Sequence, residues 1–128
     1  MISWIKVGDV LNFKNLVNAV IDEPSFDKIM SYINKVKSSG EAKIIAGGNG
    51  DKSKGYFIEP TVIITENPHF FTMEEEIFGP VMTIYVYNDD RFDETLKLCD
   101  ETSPYGLTGS IFSNDKYAMI KALSLIHI

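Results

Sequence analysis

A chain of 128 residues, with 45% hydrophobic and 23% charged residues, has the length and balance of one modest globular domain. No apolar run approaches the roughly 18–20 residues of a membrane span, and no N-terminal stretch has the pattern of a signal peptide. The net charge of −6 opposes nucleic acid and anionic lipid as partners. A single cysteine, Cys99, excludes an intrachain disulfide and favours a reducing compartment, and His69 and His127 are too far apart in sequence to suggest a metal site.

Leu11 to Val20 is mostly apolar and free of Gly and Pro. After Pro24, Ser25 is the expected N-cap of a helix. Phe26, Ile29, Met30, Ile33 and Val36 then recur at helical spacing, which predicts an amphipathic helix over 26–37. Lys35 and Lys37 suit its C-terminal end, and Gly40 is expected to close it in a left-handed cap. Lys43 to Ala46 reads as a strand entering a turn at Gly47–Gly48–Asn49–Gly50.

Tyr56 to Thr65 is a second strand region, interrupted by Pro60. Val81 to Tyr87 is β-branched and aromatic, hence a strand, with Asn88–Asp89–Asp90 as its turn. Residues 92–101 predict a helix with Phe92, Leu96 and Cys99 on one face. Pro104–Tyr105–Gly106 breaks it. Leu107 to Ser113 reads as a strand, and Ser113 or Asn114 should cap a last helix from Asp115. Strand–helix–strand–helix order implies an α/β layer with a parallel component.

Several motifs invite a functional reading. The glycine loop at 47–53 fails both phosphate templates: Asp51 separates Gly50 from Lys52, and Ser53 stands where a dinucleotide fingerprint needs its third glycine. It is read as a turn. Cys99 has a carboxylate neighbour and no histidine close in sequence, which favours a buried structural cysteine over a nucleophile.

Glu74–Glu75–Glu76 alone reads as a solvated acidic run. It passes, however, directly into Ile77–Phe78–Gly79–Pro80 and a strand. A carboxylate at a strand entry can face a cleft at a sheet edge. It can accept from both hydroxyls of a ribose diol, while an aromatic two residues on offers a flat surface to a nicotinamide ring. Gly79 permits close backbone approach, and Pro80 fixes the turn.

Glu75-Glu76-Ile77-Phe78-Gly79-Pro80-Val81 resembles the nicotinamide-ribose motif of the aldehyde dehydrogenase superfamily. Gly55-Tyr56-Phe57-Ile58-Glu59-Pro60-Thr61-Val62 is similar to its Gly-x-Phe-x-x-Pro-Thr segment, and Tyr105-Gly106-Leu107-Thr108 to its Tyr-Gly-Leu segment. Ile5-Lys6-Val7-Gly8-Asp9 resembles the stretch after the catalytic cysteine. The likeness covers residues 5–122 in order and at matching spacing.

Ala19-Val20-Ile21-Asp22, Ser25-Phe26-Asp27-Lys28-Ile29, Tyr85-Val86-Tyr87 and the run 105–113 are similar to the branch that oxidises glutamate γ-semialdehyde, the open form of 1-pyrroline-5-carboxylate.

The resemblance implies part of an aldehyde dehydrogenase catalytic domain over residues 1–122: an incomplete α/β fold, an open twisted sheet with flanking helices. It gives Glu76 the nicotinamide ribose hydroxyls and Phe78 the nicotinamide face, with NAD as cofactor. In the family a cysteine attacks the aldehyde, hydride passes to NAD, and a glutamate-activated water releases the acid. Those catalytic groups and the dinucleotide domain are expected before Met1, so no catalytic residue is assigned in this chain. The groups that hold the substrate and the dimerisation arm are expected after Ala122.

A small-molecule aldehyde substrate, a homo-oligomeric parent and a mitochondrial matrix location are also implied. Leu123-Ser124-Leu125-Ile126-His127-Ile128 matches the translation of a sequencing-library adaptor end, so 123–128 are expected to be non-native. Another aldehyde dehydrogenase branch, or a non-catalytic module that keeps the fold for binding or assembly, remain the alternative readings.

Overall fold

The computed structural model describes residues 2, 4–106 and 108–125. They form two compact units, 1–86 and 87–128.

The first unit is organised by helix α1, Glu23–Ser38. Its cap is Asp22, three residues ahead of the expected Ser25. The Asp22 carboxylate accepts the Ser25 backbone N–H at 2.8 Å, and Pro24 occupies the first turn, where no N–H is needed. At the other end Ser39 is extended and its N–H bonds to the Val36 carbonyl. The helix therefore closes without a left-handed residue, and Gly40 is not one. Phe26, Ile29, Ile33 and Val36 are buried along one stripe. Each fully buried Ile contributes about 1.5–3 kcal/mol of apolar transfer energy.

Five short strands follow: β1 (Ala42–Ala46), β2 (Gly50–Asp51), β3 (Phe57–Ile58), β4 (Thr61–Thr65) and β5 (Val81–Tyr85). The expected strand over 56–65 is thus two strands in two sheets, because Pro60 cannot donate to a ladder. β2 and β3 form an antiparallel hairpin, so the glycine loop is structural. Gly47 and Gly48 have φ of 71° and 96°, and a Cβ on Gly47 would fall 2.2 Å from the Pro60 carbonyl oxygen. Only glycine fits there.

The main sheet has the order β1-β4-β5. β1 pairs antiparallel with β4, and β4 parallel with β5, Thr61 opposite Val81 and Thr65 opposite Tyr85. β4 is β-branched throughout, and Thr61, Ile63 and Thr65 are buried. The buried hydroxyls are satisfied. Thr61 donates to the Glu59 carbonyl and accepts from Gly48 N–H, and Thr65 donates to the Glu41 carbonyl. The crossover from β4 to β5 carries the short helix α2, Phe71–Glu74, and then the segment 75–80. α1 covers the sheet through two adjoining clusters. Phe26, Ile29 and Ile33 meet Ile58 and Ile77, and Val36 meets Ile63 and Phe70.

The second unit holds a 3-10 turn at Asp89–Arg91, helix α3 (Phe92–Glu101) and helix α4 (Lys116–Ser124). Asp115 caps α4 by accepting from the N–H groups of Tyr117 and Ala118; neither Ser113 nor Asn114 does so. Lys121 pairs with Asp93 at 2.5 Å.

Two expectations change here. Cys99 is exposed rather than buried, because the last turn of α3 has little cover: Asp100 and Glu101 beside it are exposed too. The strand expected over 107–113 is absent among the described residues 108–113; Leu107 lies outside them. A strand exists only through a partner's ladder, and these residues have none among the described ones. The expected non-native tail falls partly on 126–128, also outside the described residues, while Leu123 and Ser124 complete α4.

Candidate cofactor-facing loop

The segment Glu75–Pro80 leaves α2 and turns into β5. Its geometry separates the three glutamates of the acidic run. Glu74 accepts from His69 Nδ1 at 2.9 Å. Glu75 accepts from the Tyr32 hydroxyl of α1. Glu76 is exposed, and no hydrogen bond or ion pair to its carboxylate forms among the described residues. One carboxylate of the three is therefore left available to a ligand.

The backbone alternates between anchoring and presenting. Ile77 is buried against α1, and Gly79 packs so closely on Ile29 that a Cβ would lie 2.5 Å from its Cδ1. The Pro80 carbonyl accepts from Thr61 N–H at 2.8 Å, tying the loop to the start of β4. Between those anchors Phe78 has φ +61°, the one positive φ at a non-glycine residue among those described. Its side chain is 84% exposed. A bulky side chain in the left-handed region costs about 1–2 kcal/mol, and exposing an aromatic ring forfeits burial as well. Both costs fall on one residue beside an unengaged carboxylate, which is the pattern of a presented binding group.

Glu76 and Phe78 are thus brought to one exposed turn, with Ile77 as the root between them. The turn leads into β5, an edge strand of the described three-stranded sheet. It stands at the amino end of the parallel pair, however, because Val81 pairs with Thr61 at the start of both strands. Open α/β sheets more often bind ligands at the carboxyl ends.

The supporting residues escaped sequence reading. The Thr83 hydroxyl donates to Thr72 Oγ1 at 2.8 Å, holding α2 to β5. Tyr32 stacks on Phe71, with ring centroids 5.9 Å apart and planes inclined by 23°. The only sequence signal was the position of Tyr32 three residues after Ile29; its pairing with Glu75, 43 residues on, has none.

A cleft of about 990 Å³ lies elsewhere, lined by Val7, Asn18, Asn49, Asp51, Lys54 and Glu59 among others. Its carboxylates are already engaged. Asp51 accepts from Ser53 N–H, which holds its pKa below the ordinary carboxylate value, and Glu59 accepts from Asn49. The unengaged carboxylate of the loop makes it the better candidate. No group of three or more His, Cys, Asp or Glu that could hold a metal ion forms among the described residues. No described helix is long and apolar enough to cross a membrane.

The chain is 58% identical over 115 residues to the mitochondrial delta-1-pyrroline-5-carboxylate dehydrogenase of Dictyostelium discoideum, covering 90% of this chain and 21% of that protein. Among solved structures, the delta-pyrroline-5-carboxylate dehydrogenase of Mycobacterium tuberculosis bound with NAD superposes with a TM-score of 0.84. It is 33% identical, over 94% of this chain and 21% of that one. A betaine aldehyde dehydrogenase of Staphylococcus aureus in complex with NAD+ gives 0.81 at 31% identity, over 94% and 24%.

Neither the backbone match nor the identity to these two solved structures separates the branches. The chain spans between a fifth and a quarter of the length of each of these proteins. The sequence profile of the aldehyde dehydrogenase family matches residues 2–128. With that match over nearly its whole length, the chain belongs to the aldehyde dehydrogenase family.

Proposed function

We propose that this chain is a segment of an NAD-dependent dehydrogenase that oxidises L-glutamate γ-semialdehyde, the open form of 1-pyrroline-5-carboxylate, to L-glutamate in proline degradation. Within it, Glu76 and Phe78 bind the nicotinamide half of NAD. The observation that carries the site assignment is the contrast among three consecutive glutamates: two are held by protein groups and the third, Glu76, faces solvent beside an aromatic in a strained backbone.

The donor chemistry fits the cofactor. A carboxylate accepts from both hydroxyls of a ribose diol through charge-assisted hydrogen bonds. A ring that is not packed against protein offers its face to a planar heterocycle and keeps water from it. NAD, when bound, supplies the hydride acceptor. The role of this chain is to bind and orient, and residues 1–122 are read as the part of the catalytic domain that follows the nucleophile. The branch assignment rests on the 58% identity to the Dictyostelium enzyme and on the branch-like segments of the sequence. The same likeness supports a mitochondrial matrix location and a small-molecule aldehyde substrate; a homo-oligomeric parent is part of the reading.

The test is Glu76→Gln in the full-length enzyme. Loss of one charge from the diol contact should raise the NAD dissociation constant about tenfold, on the scale of one charged hydrogen bond. Unchanged NAD binding and turnover would remove the assigned role. Comparing pyrroline-5-carboxylate with simple aliphatic aldehydes tests the branch: a preference for the aliphatic substrate would reject it.

A further inference from the structure

We infer that Tyr32 is a positioning residue for the cofactor-binding turn, acting through the Glu75 carboxylate; this rests on the proposed roles of Glu76 and Phe78. The turn carries a side chain in the left-handed region, so something must hold it against relaxation. α1 does so at neighbouring points of one face. Ile29 receives Ile77 and Gly79, and Tyr32, one turn later, donates its hydroxyl to Glu75, the residue directly before Glu76.

Tyr32 is itself fixed. Its ring stacks on Phe71 of α2, and Lys35 Nζ lies 4.0 Å from the Phe71 ring centroid. The Thr72–Thr83 hydrogen bond ties the same helix to β5. Glu75 thus connects a rigid helix face to the first residue that would touch cofactor. Without the Tyr32 hydroxyl, Ile77 and the hydrogen bond from Glu75 N–H to the Phe71 carbonyl still anchor the turn, but the Glu75 side chain loses its tie to α1, and with it the orientation of Glu76. The fold keeps its apolar contacts, so the expected defect lies chiefly in binding geometry, with a stability loss no larger than one hydrogen bond.

The experiment uses the full-length enzyme, with NAD binding measured by calorimetric titration and stability by chemical denaturation. Tyr32→Phe keeps the ring stack and removes the hydroxyl; it should weaken NAD binding about fivefold, the scale of one partly exposed hydrogen bond. The denaturation midpoint should fall by no more than the loss of one partly exposed hydrogen bond, and the aldehyde KM should not move. Glu75→Gln, which keeps an acceptor oxygen, should retain most of the affinity. Glu75→Ala should match Tyr32→Phe, and the double variant should be no worse than either.

Unaltered NAD affinity in Tyr32→Phe, additive losses in the double variant, or a fall in the denaturation midpoint larger than one hydrogen bond accounts for would each overturn the inference. Glu76→Gln separates the two levels. If it weakens NAD binding and Tyr32→Phe does not, the cofactor assignment stands and the positioning role falls. If Glu76→Gln has no effect, the cofactor assignment falls and takes the positioning role with it.

Discussion

Replacing Phe78 by Gly and, separately, by Ala isolates the strain in the turn. At most positions Ala is the more stable of the two by about 0.4–1 kcal/mol, because Gly has more freedom to lose on folding. At Phe78 the backbone sits at φ +61°, where a Cβ costs about 1–2 kcal/mol and glycine pays nothing. The difference reverses the order, leaving Gly more stable than Ala by about 0.5–1 kcal/mol. The ring is 84% exposed, so its loss adds little in either variant.

Both variants lack the aromatic face and should weaken NAD binding to the same extent. Denaturation midpoints of the two full-length proteins, with NAD titrations beside them, read both effects. Ala more stable than Gly would refute the strain argument, and wild-type NAD affinity in both would refute the aromatic contact.

Two further expectations follow from neighbouring contacts. Gly79→Ala places a Cβ 2.5 Å from Ile29 Cδ1 and should destabilise by about 1–3 kcal/mol through overpacking, with partial recovery when Ile29→Val removes that methyl; absence of recovery in the denaturation midpoint would point to backbone strain instead. At the start of α1, hydrogen bonds from the Ser25 hydroxyl and backbone N–H hold the Asp22 carboxyl below its ordinary pKa. A group depressed in the folded state contributes stability that is fully present above its unfolded pKa and is lost as pH falls through the folded one. Asp22→Ala should therefore cost stability near neutrality, and the cost should shrink on acidification below the ordinary carboxylate pKa; a difference independent of pH would contradict the capping account.

Local patterning in this sequence decides what depends on near neighbours. The apolar spacing of Phe26, Ile29, Ile33 and Val36 dictates α1, and the β-branched content of 61–65 and 81–85 dictates two strands, because period and side-chain shape act within a few residues. The same reading marked Glu76 and Phe78, through the motif they share with the aldehyde dehydrogenases. Caps were less legible: Asp22 and Asp115 took the roles assigned to residues near them, since several polar side chains compete for each helix start.

Tertiary structure decided the rest. Residues 108–113 have strand-like composition, yet no described strand pairs with them, and composition cannot supply a partner. Cys99 is exposed because cover in the last turn of a helix comes from elsewhere in space. The division of labour among Glu74, Glu75 and Glu76 is tertiary too. Three identical side chains in a row differ only in what reaches them: His69 reaches the first, Tyr32 of a distant helix the second, and no described group the third.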